Sequence, residues 1–231
     1  MLVFGKNVVL EYLNSNKKIY KCFVQNNFND YYLINKINHK HIKTQTLTKV
    51  DMDKKVSGLH QGIILDVEGY KYADIYDVIS DEDSLLVMLD HIEDPHNFGA
   101  IIRSCEAAGV DGIIIPTDRS VEVNSTVIKT SVGTTEQMKI ARVTNLNSTI
   151  KLLKDKGYWI FGTDMDGTDY TKLDYKGKTC IICGNEGSGM SKLVRENCDF
   201  IASIPMKGEV NSLNASVATA IVVFEAVKQR I

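Results

Sequence analysis

Three short stretches hold the residues that could do chemistry. The first is LDHIEDPHNFGAIIRSCEAAG, residues 89–109. Asp94-Pro95 and Asn97-x-Gly99 make a turn into a helix, and Arg103 follows Asn97 by six residues on an otherwise apolar helix face. A lone guanidinium there must meet an anion or a carboxylate; a structural salt bridge to Glu106 or Asp90 is the plain alternative. The second stretch is CGNEGSGMS, residues 183–191, where Gly184, Gly187 and Gly189 surround Glu186 after an apolar run. Such glycines let backbone come close to a ligand. Their spacing matches neither the phosphate loop GxxxxGK(S/T) nor the dinucleotide pattern GxGxxG. The third is IPMKGEVNSLNAS, residues 204–216, a Pro and Gly turn that leads into a long helix. Ser212, Asn214 and Ser216 sit at the mouth of that helix, with Ser212 the expected N-cap. Free N–H groups and partial positive charge at a helix start would make a polar pocket there.

These stretches need elements to position them. Leu213, Val217, Ala220, Ile221, Phe224 and Val227 recur at three- and four-residue steps, which predicts a C-terminal helix with that face buried. From Leu85 onward, apolar runs at 85–90, 112–116, 158–164, 179–184 and 200–205 alternate with helical patterns at 97–108, 124–131, 145–156 and 191–197. Continuous apolar strands between helices predict an α/β domain on a mostly parallel sheet. Ligands in such sheets bind beyond the carboxyl ends of strands, which is where the three stretches fall. The first 70 residues read as a smaller α/β unit. Helical patterns lie at 5–14 (capped by Asn7) and 30–38, strands at 19–24, 42–47 and 63–67, and a polar helix or turn at 49–56. Residues 68–77, with a Gly, several tyrosines and no apolar period, read as a connection. The expected division is 1–70, a linker over 71–80, and 81–231.

Composition excludes some classes. Of 231 residues, 44 % are hydrophobic and 24 % charged, ordinary for a soluble globule. No apolar run approaches the roughly 20 residues of a membrane span, and the first residues lack the pattern of a secretory leader, so a cytoplasmic protein is expected. Five cysteines without framework spacing argue against structural disulfides. Cys180-x-x-Cys183 has no second pair, so no metal is expected. His91 and His96 read as structural, and the sequons at Asn124 and Asn147 carry no meaning in a cytoplasmic protein. Net charge is −2, but residues 1–70 hold ten lysines against six carboxylates. A basic front suits phosphates, and equally suits a solvated lysine surface.

The three stretches resemble the motifs of the SpoU/TrmH family of RNA ribose 2′-O-methyltransferases, within the knotted SPOUT superfamily. The motifs run N-x-G-A-x-x-R at Asn97–Arg103, G-x-E-G-x-G at Gly184–Gly189, and I-P-M-x-G-x-x-x-S-L-N-x-S at Ile204–Ser216, in family order. GKNVVLEYL near the start and HQGIIL at 60–65 resemble, more loosely, the L30e-like RNA-binding domain that precedes the catalytic domain in 23S rRNA guanosine methylases. Phe98, Cys105 and Ala215 depart slightly from the usual residues. The resemblance implies a deep trefoil knot in the C-terminal domain. It also implies S-adenosylmethionine held by knot-loop backbone at Gly184, Ile204 and Leu213 with Met206 and Asn214 close by, and a homodimer packed through the knot region. Family opinion makes the motif arginine catalytic. A guanidinium keeps its proton, so Arg103 is expected to clamp a phosphate and stabilise the developing alkoxide. Asn97 and Asn214 would orient the site, and Glu186 would position Arg103 or accept a proton. A guanosine of 23S rRNA is the expected substrate. A tRNA substrate, or a non-catalytic RNA-binding or ribosome-assembly module, are the alternatives.

Overall fold

The structure, a computed structural model, describes residues 1–56, 58–209 and 212–231. Part of the turn expected over Met206–Ser212, at Val210 and Asn211, lies outside the described residues. Two compact units form, Met1–Lys71 with Val123–Glu136, and Tyr72–Glu122 with Gln137–Ile231.

The first unit is built on β1 (Leu2–Phe4), α1 (Lys6–Asn14), β2 (Ile19–Gln25), α2 (Tyr31–His39), β3 (Thr44–Leu47), α3 (Lys49–Asp53) and β4 (Ile63–Val67). The sheet order is β1-β4-β2-β3, with only the β2–β3 pair parallel. Phe23 and Phe4 both stand opposite Ile64, and all three close over Met52 and Val56. The alternate residues Val3, Cys22 and Leu65 face the other way, because strand side chains alternate. The cap of α1 is not Asn7. Gly5 takes that place at φ 92°, a left-handed conformation that glycine alone adopts without strain. Asp30 does cap α2, accepting from Leu33 N–H.

Residues 123–136, read in the sequence as part of the second domain, pack with the first unit. Here α6 (Ser125–Thr130), capped by Asn124, lies against β1. The fully buried Tyr12 donates its hydroxyl to Glu136 Oε1 at 2.8 Å, and Lys17 Nζ meets Oε2 at 2.8 Å. Burial, and then Glu136, push the Tyr12 phenol far above its ordinary range.

The second unit holds α4 (Ile75–Val78), β5 (Leu85–Asp90), α5 (Pro95–Ala108), β6 (Gly112–Pro116), β7 (Ile140–Val143), α7 (Leu146–Asp155), β8 (Trp159–Asp169), β9 (Thr179–Gly184), α8 (Lys192–Glu196), β10 (Phe200–Ser203) and α9 (Ala215–Lys228). Its sheet, β10-β8-β9-β5-β6-β7, is parallel throughout. Every residue of β5 and β6 is buried, which is why both read as unbroken apolar runs. Residues 72–78, read as connection, are ordered onto this sheet. Ala73 bridges Ala141, a capping box of Asp74 and Asp77 starts α4, and Val78 packs where a Cβ on Gly112 would stand 2.3 Å from its Cγ1. Gly109 ends α5 in the left-handed conformation at φ 73°.

Two expectations about α9 fail. Ser212 is not its cap: Asn214 is, and the helix begins at Ala215 rather than Leu213. The face expected to be buried is the outer one. Thr219, Val222, Val223 and Ala226 are buried, whereas Val217 and Phe224 are 47 % and 48 % exposed. A helix apolar nearly all round gives periodicity no means of choosing its inner face.

Candidate active site

The strand order reverses between β5 and β9. The chain builds β5, β6 and β7 in one direction, then places β9, β8 and β10 on the other side of β5. Ligands of open α/β sheets bind beyond the carboxyl ends of strands at such a reversal. There Asp90 stands opposite Gly184 in register, so the first and second stretches meet. The buried Asp90 carboxylate accepts from Ser191 N–H at 2.6 Å and holds His91 Nδ1. Asn185 Nδ2 donates to the His91 carbonyl at 2.7 Å.

The glycine loop closes on itself. Asn185 and Gly189 exchange backbone hydrogen bonds of 3.0 and 2.9 Å, and Asn185 Oδ1 accepts from Gly187 N–H at 2.9 Å. A Cβ on Gly184 would lie 2.2 Å from Gly189 C and Met190 N. Gly184 is therefore required by the loop's own backbone.

A hydrogen-bond chain joins all three stretches. Asn214 Oδ1 accepts from Ser216 N–H (2.9 Å) and Val217 N–H (3.4 Å), capping α9. That fixes which end of the Asn214 amide is oxygen, so Nδ2 donates onward to Asn97 Oδ1 at 2.8 Å. Asn97 Nδ2 in turn donates to Glu186 Oε1 at 2.8 Å. The helix N-terminus thus dictates the polarity of the whole chain, and it ends on a carboxylate. Asn97 is held at the first turn of α5 by the Asp94 cap and Pro95.

Beside this chain lies a cavity of about 390 Å³, within the size range of small-molecule sites. Gly184, Glu186, Ile204, Met206 and Leu213 line it, with Asn185, Gly187, Ser188, Gly189 and Ser212. Asn214 does not, although its neighbours Leu213 and Ala215 do. Two carboxylates, Asp164 and Glu186, line the cavity, and among the described residues lining it none is Lys, Arg or His. Asp164 is partly neutralised by Arg195, whose Nε donates at 2.8 Å; among the described residues Glu186 is held by the neutral Asn97. Such walls favour a ligand with positive charge and disfavour a polyphosphate.

Thr163, Asp164 and Met165 also line the cavity and were missed in the sequence. The pairing of β10 with β8 jumps from Ile201–Gly162 to Ala202–Thr168, so residues 163–167 have no partner in that register. An irregularity of this kind re-aims side chains, and nothing in the sequence marks it beyond its place at the end of an apolar run. Cys183 lines the cavity as well; burial raises its thiol pKa, and hydrogen bonds with Thr219 and Thr163 partly offset that. Cys180 lies three positions away on the same strand and hence on the opposite face, so the two thiols cannot chelate one ion.

Arg103 is exposed, and among the described residues it has no hydrogen-bond or salt-bridge partner. The structural alternative is thereby answered: Asp90 spends its oxygens on His91 and Ser191, and no bridge to Glu106 forms among the described residues. Nor does Glu186 hold Arg103; it holds Asn97.

A reversed parallel sheet with an acid-lined cavity at its strand ends defines an α/β domain with a small-molecule site. The SpoU rRNA Methylase family model matches residues 84–224, and the model for RNA 2′-O ribose methyltransferase substrate binding matches residues 2–73. The chain is 38 % identical to YacO of Bacillus subtilis (strain 168) over 99 % of its length and 95 % of the relative's. It is 41 % identical to a Staphylococcus saprophyticus protein over 100 % and 96 %. The names of both place them among TrmH family tRNA/rRNA methyltransferases. Among solved structures, the AdoMet-bound rRNA methyltransferase from Sinorhizobium meliloti superposes with TM-score 0.84 at 25 % identity, covering 100 % of this chain and 87 % of that one. The SpoU methyltransferase AviRb from Streptomyces viridochromogenes, in complex with AdoMet, shares the fold with TM-score 0.86 at 24 % identity over 100 % and 90 %. The chain belongs to the SpoU/TrmH family of RNA methyltransferases.

Proposed function

We propose that this protein methylates a ribose 2′-hydroxyl of RNA, with a guanosine of 23S rRNA as the substrate and S-adenosylmethionine as the methyl donor. The observation that carries the reading is the Asn214–Asn97–Glu186 chain beside a cavity lined by two carboxylates and, among the described residues, by no cationic side chain. The donor supplies an electrophilic methyl on a sulfonium centre. Its positive charge fits these walls, and its apolar parts fit Ile204, Leu213, Ala215 and Ala218.

The chain's own residues then divide the work. Gly184 and its loop shape one wall, and Asn185 ties that wall to β5 through the His91 carbonyl. Asn97 and Asn214 hold Glu186 in place. Arg103, partnerless among the described residues, is the group for RNA: its planar fork grips a phosphate beside the target ribose and stabilises charge on the 2′-oxygen as the proton leaves. Glu186 is positioned to accept a proton or to keep its neighbours aligned. Holding the two reacting atoms in line supplies much of the rate.

The outer face of α9, with Val217 and Phe224 exposed, forms the core of a homodimer interface in the knot region, and the C-terminal segment is threaded as a trefoil knot. The first unit binds RNA and the second carries the chemistry, in the cytoplasm. The rRNA substrate is favoured over tRNA because the solved rRNA enzyme matches 100 % of this chain, whereas the Aquifex aeolicus TrmH/SpoU tRNA modifying enzyme matches 64 %.

Purified protein with tritiated S-adenosylmethionine and separate 23S rRNA, 16S rRNA and bulk tRNA tests this directly. Label in one 23S nucleotide, mapped by 2′-O-methyl-sensitive cleavage, is expected. Label only in tRNA would overturn the substrate, and a methyl mapped to a base would overturn the chemistry.

A further inference from the structure

The first unit carries aromatic rings where a folded domain usually hides them. Tyr31, Tyr32 and Tyr20 are 77 %, 60 % and 49 % exposed. Each of the last two has a lysine over its ring, Lys36 over Tyr32 at 5.3 Å and Lys18 over Tyr20 at 5.4 Å. Tyr32, Lys36 and Lys40 follow one another at four-residue steps, so they form a single stripe along α2 and its C-cap.

That stripe is pinned to the end of α1. Lys36 Nζ donates to Asn14 Oδ1 at 3.0 Å and Lys40 Nζ to the Ser15 carbonyl at 2.9 Å. The segment after Ser15 carries Lys18 and runs into β2, which brings Tyr20 to the same end. Cys22 N–H bonds the Lys43 carbonyl at 2.9 Å, so the His39–Lys43 connection lies there too. One end of the unit therefore gathers Lys18, Lys36, Lys40 and Lys43 with His39, His41, Tyr20 and Tyr32.

Charge arithmetic decides what this end attracts. The C-termini of α1 and α2 each contribute about half a negative elementary charge, and Glu68, whose N–H bonds the Lys18 carbonyl, adds one more. Four full positive charges outweigh these. A bare lysine patch would serve any polyanion, but a polyanion gains nothing from exposed tyrosines. Rings interleaved with cations suit a chain that alternates phosphates with flat bases.

We propose that this end of the first unit is a stacking platform for single-stranded RNA, on which bases stack against Tyr20 and Tyr32 while Lys18, Lys36, Lys40 and Lys43 take the flanking phosphates. The choice of RNA as the polymer rests on the methyltransferase reading above; the platform itself rests on the rings and lysines. Regions of a structured RNA that present unpaired loops would be seated there.

The test uses the full chain and a fluorescently labelled, unstructured RNA oligonucleotide of about a dozen nucleotides, read by anisotropy. Tyr20→Ala and Tyr32→Ala should each weaken binding by roughly 5- to 100-fold, while Tyr20→Phe and Tyr32→Phe stay near wild type because the ring remains. S-adenosylmethionine affinity, measured by calorimetry, should not change in any of the four variants. Lys18→Gln with Lys43→Gln should lower the slope of log affinity against log salt by about 1.4. Alanine variants that bind like wild type, or phenylalanine variants that lose as much as alanine, would overturn the platform. Wild-type protein that binds no oligonucleotide yet methylates RNA would overturn it too, and leave the enzymatic reading standing. Wild-type protein that fails to bind S-adenosylmethionine would instead defeat the enzymatic reading, with the tyrosine comparison unaffected.

Discussion

Replacing Asn97 by aspartate changes one atom's chemistry at the centre of the site and leaves its shape. Asn97 is 8 % exposed, and its amide nitrogen lies 2.8 Å from Glu186 Oε1. In Asn97→Asp that donor becomes a second carboxylate oxygen. Glu186 is exposed to solvent, so an effective dielectric of about 40 is reasonable, and two charges about 3 Å apart then repel by about 3 kcal/mol. Loss of the hydrogen bond to a charged group adds about 1.5–3 kcal/mol. The total is capped, because the pair can bind a proton instead: lifting an ordinary carboxyl from about 4 to pH 7 costs about 4 kcal/mol. A destabilisation of about 2–4 kcal/mol at pH 7 follows. The sign with pH is definite. The folded variant binds a proton more readily than its unfolded chain, so its deficit shrinks as pH falls from 7 to 5, by up to about 1.4 kcal/mol per pH unit. Asn97→Ala loses both the bond to Glu186 and the one accepted from Asn214, without the repulsion, costing about 2–4 kcal/mol with no such pH dependence. Urea unfolding of both variants and wild type at pH 7, 6 and 5 measures the difference. If the aspartate variant's deficit fails to shrink on acidification while the alanine variant's stays level, the chain does not have the polarity assigned to it.

Four other outcomes are expected. Arg103→Lys should lower turnover by about 100-fold or more with S-adenosylmethionine affinity and melting temperature unchanged, because the side chain is exposed and only the fork geometry is lost; near-full turnover in single-turnover assays would defeat the phosphate clamp. Gly184→Ala should destabilise the fold by about 1–3 kcal/mol and weaken cofactor binding at least tenfold in calorimetry, since the new methyl meets backbone at 2.2 Å. Phe224→Glu should leave the protein folded but monomeric by sedimentation, because that ring is 48 % exposed in a single chain; a dimer that persists would move the interface elsewhere. Burial pushes the Cys22 thiol up to about 12 from 9.0 and raises the Tyr12 and Tyr175 phenols above 10.0. The unfolded chain therefore releases protons first, and stability should fall as pH rises through about 9 to 10, with a shallower fall in Tyr12→Phe by thermal melts.

Much of this protein is set by residue type and order alone. The runs at 85–90, 112–116 and 179–184 are apolar almost throughout, which fits buried parallel strands better than exposed ones. Gly109 and Asp94 bound α5 by chemistry confined to their own neighbours. The motif residues Asn97, Glu186 and Asn214 could be picked out because their types and spacing are themselves the signal. Other features depend on what lies far away in the chain. Which face of α9 turns inward was settled by α5 and β9 packing against it, since the helix offers apolar residues all round. Asn7 lost its cap to Gly5, and Ser212 to Asn214, because a cap is chosen by the path of the incoming chain as well as by the side chain. Residues 163–165 became cavity wall through a jump in strand register with β10, a segment 35 and more residues later. Most of all, the link from Asn214 through Asn97 to Glu186 joins residues 117 and 89 positions apart. Sequence supplied the three amide and carboxylate groups, and only the reversal of strand order beside β5 put them within hydrogen-bonding distance.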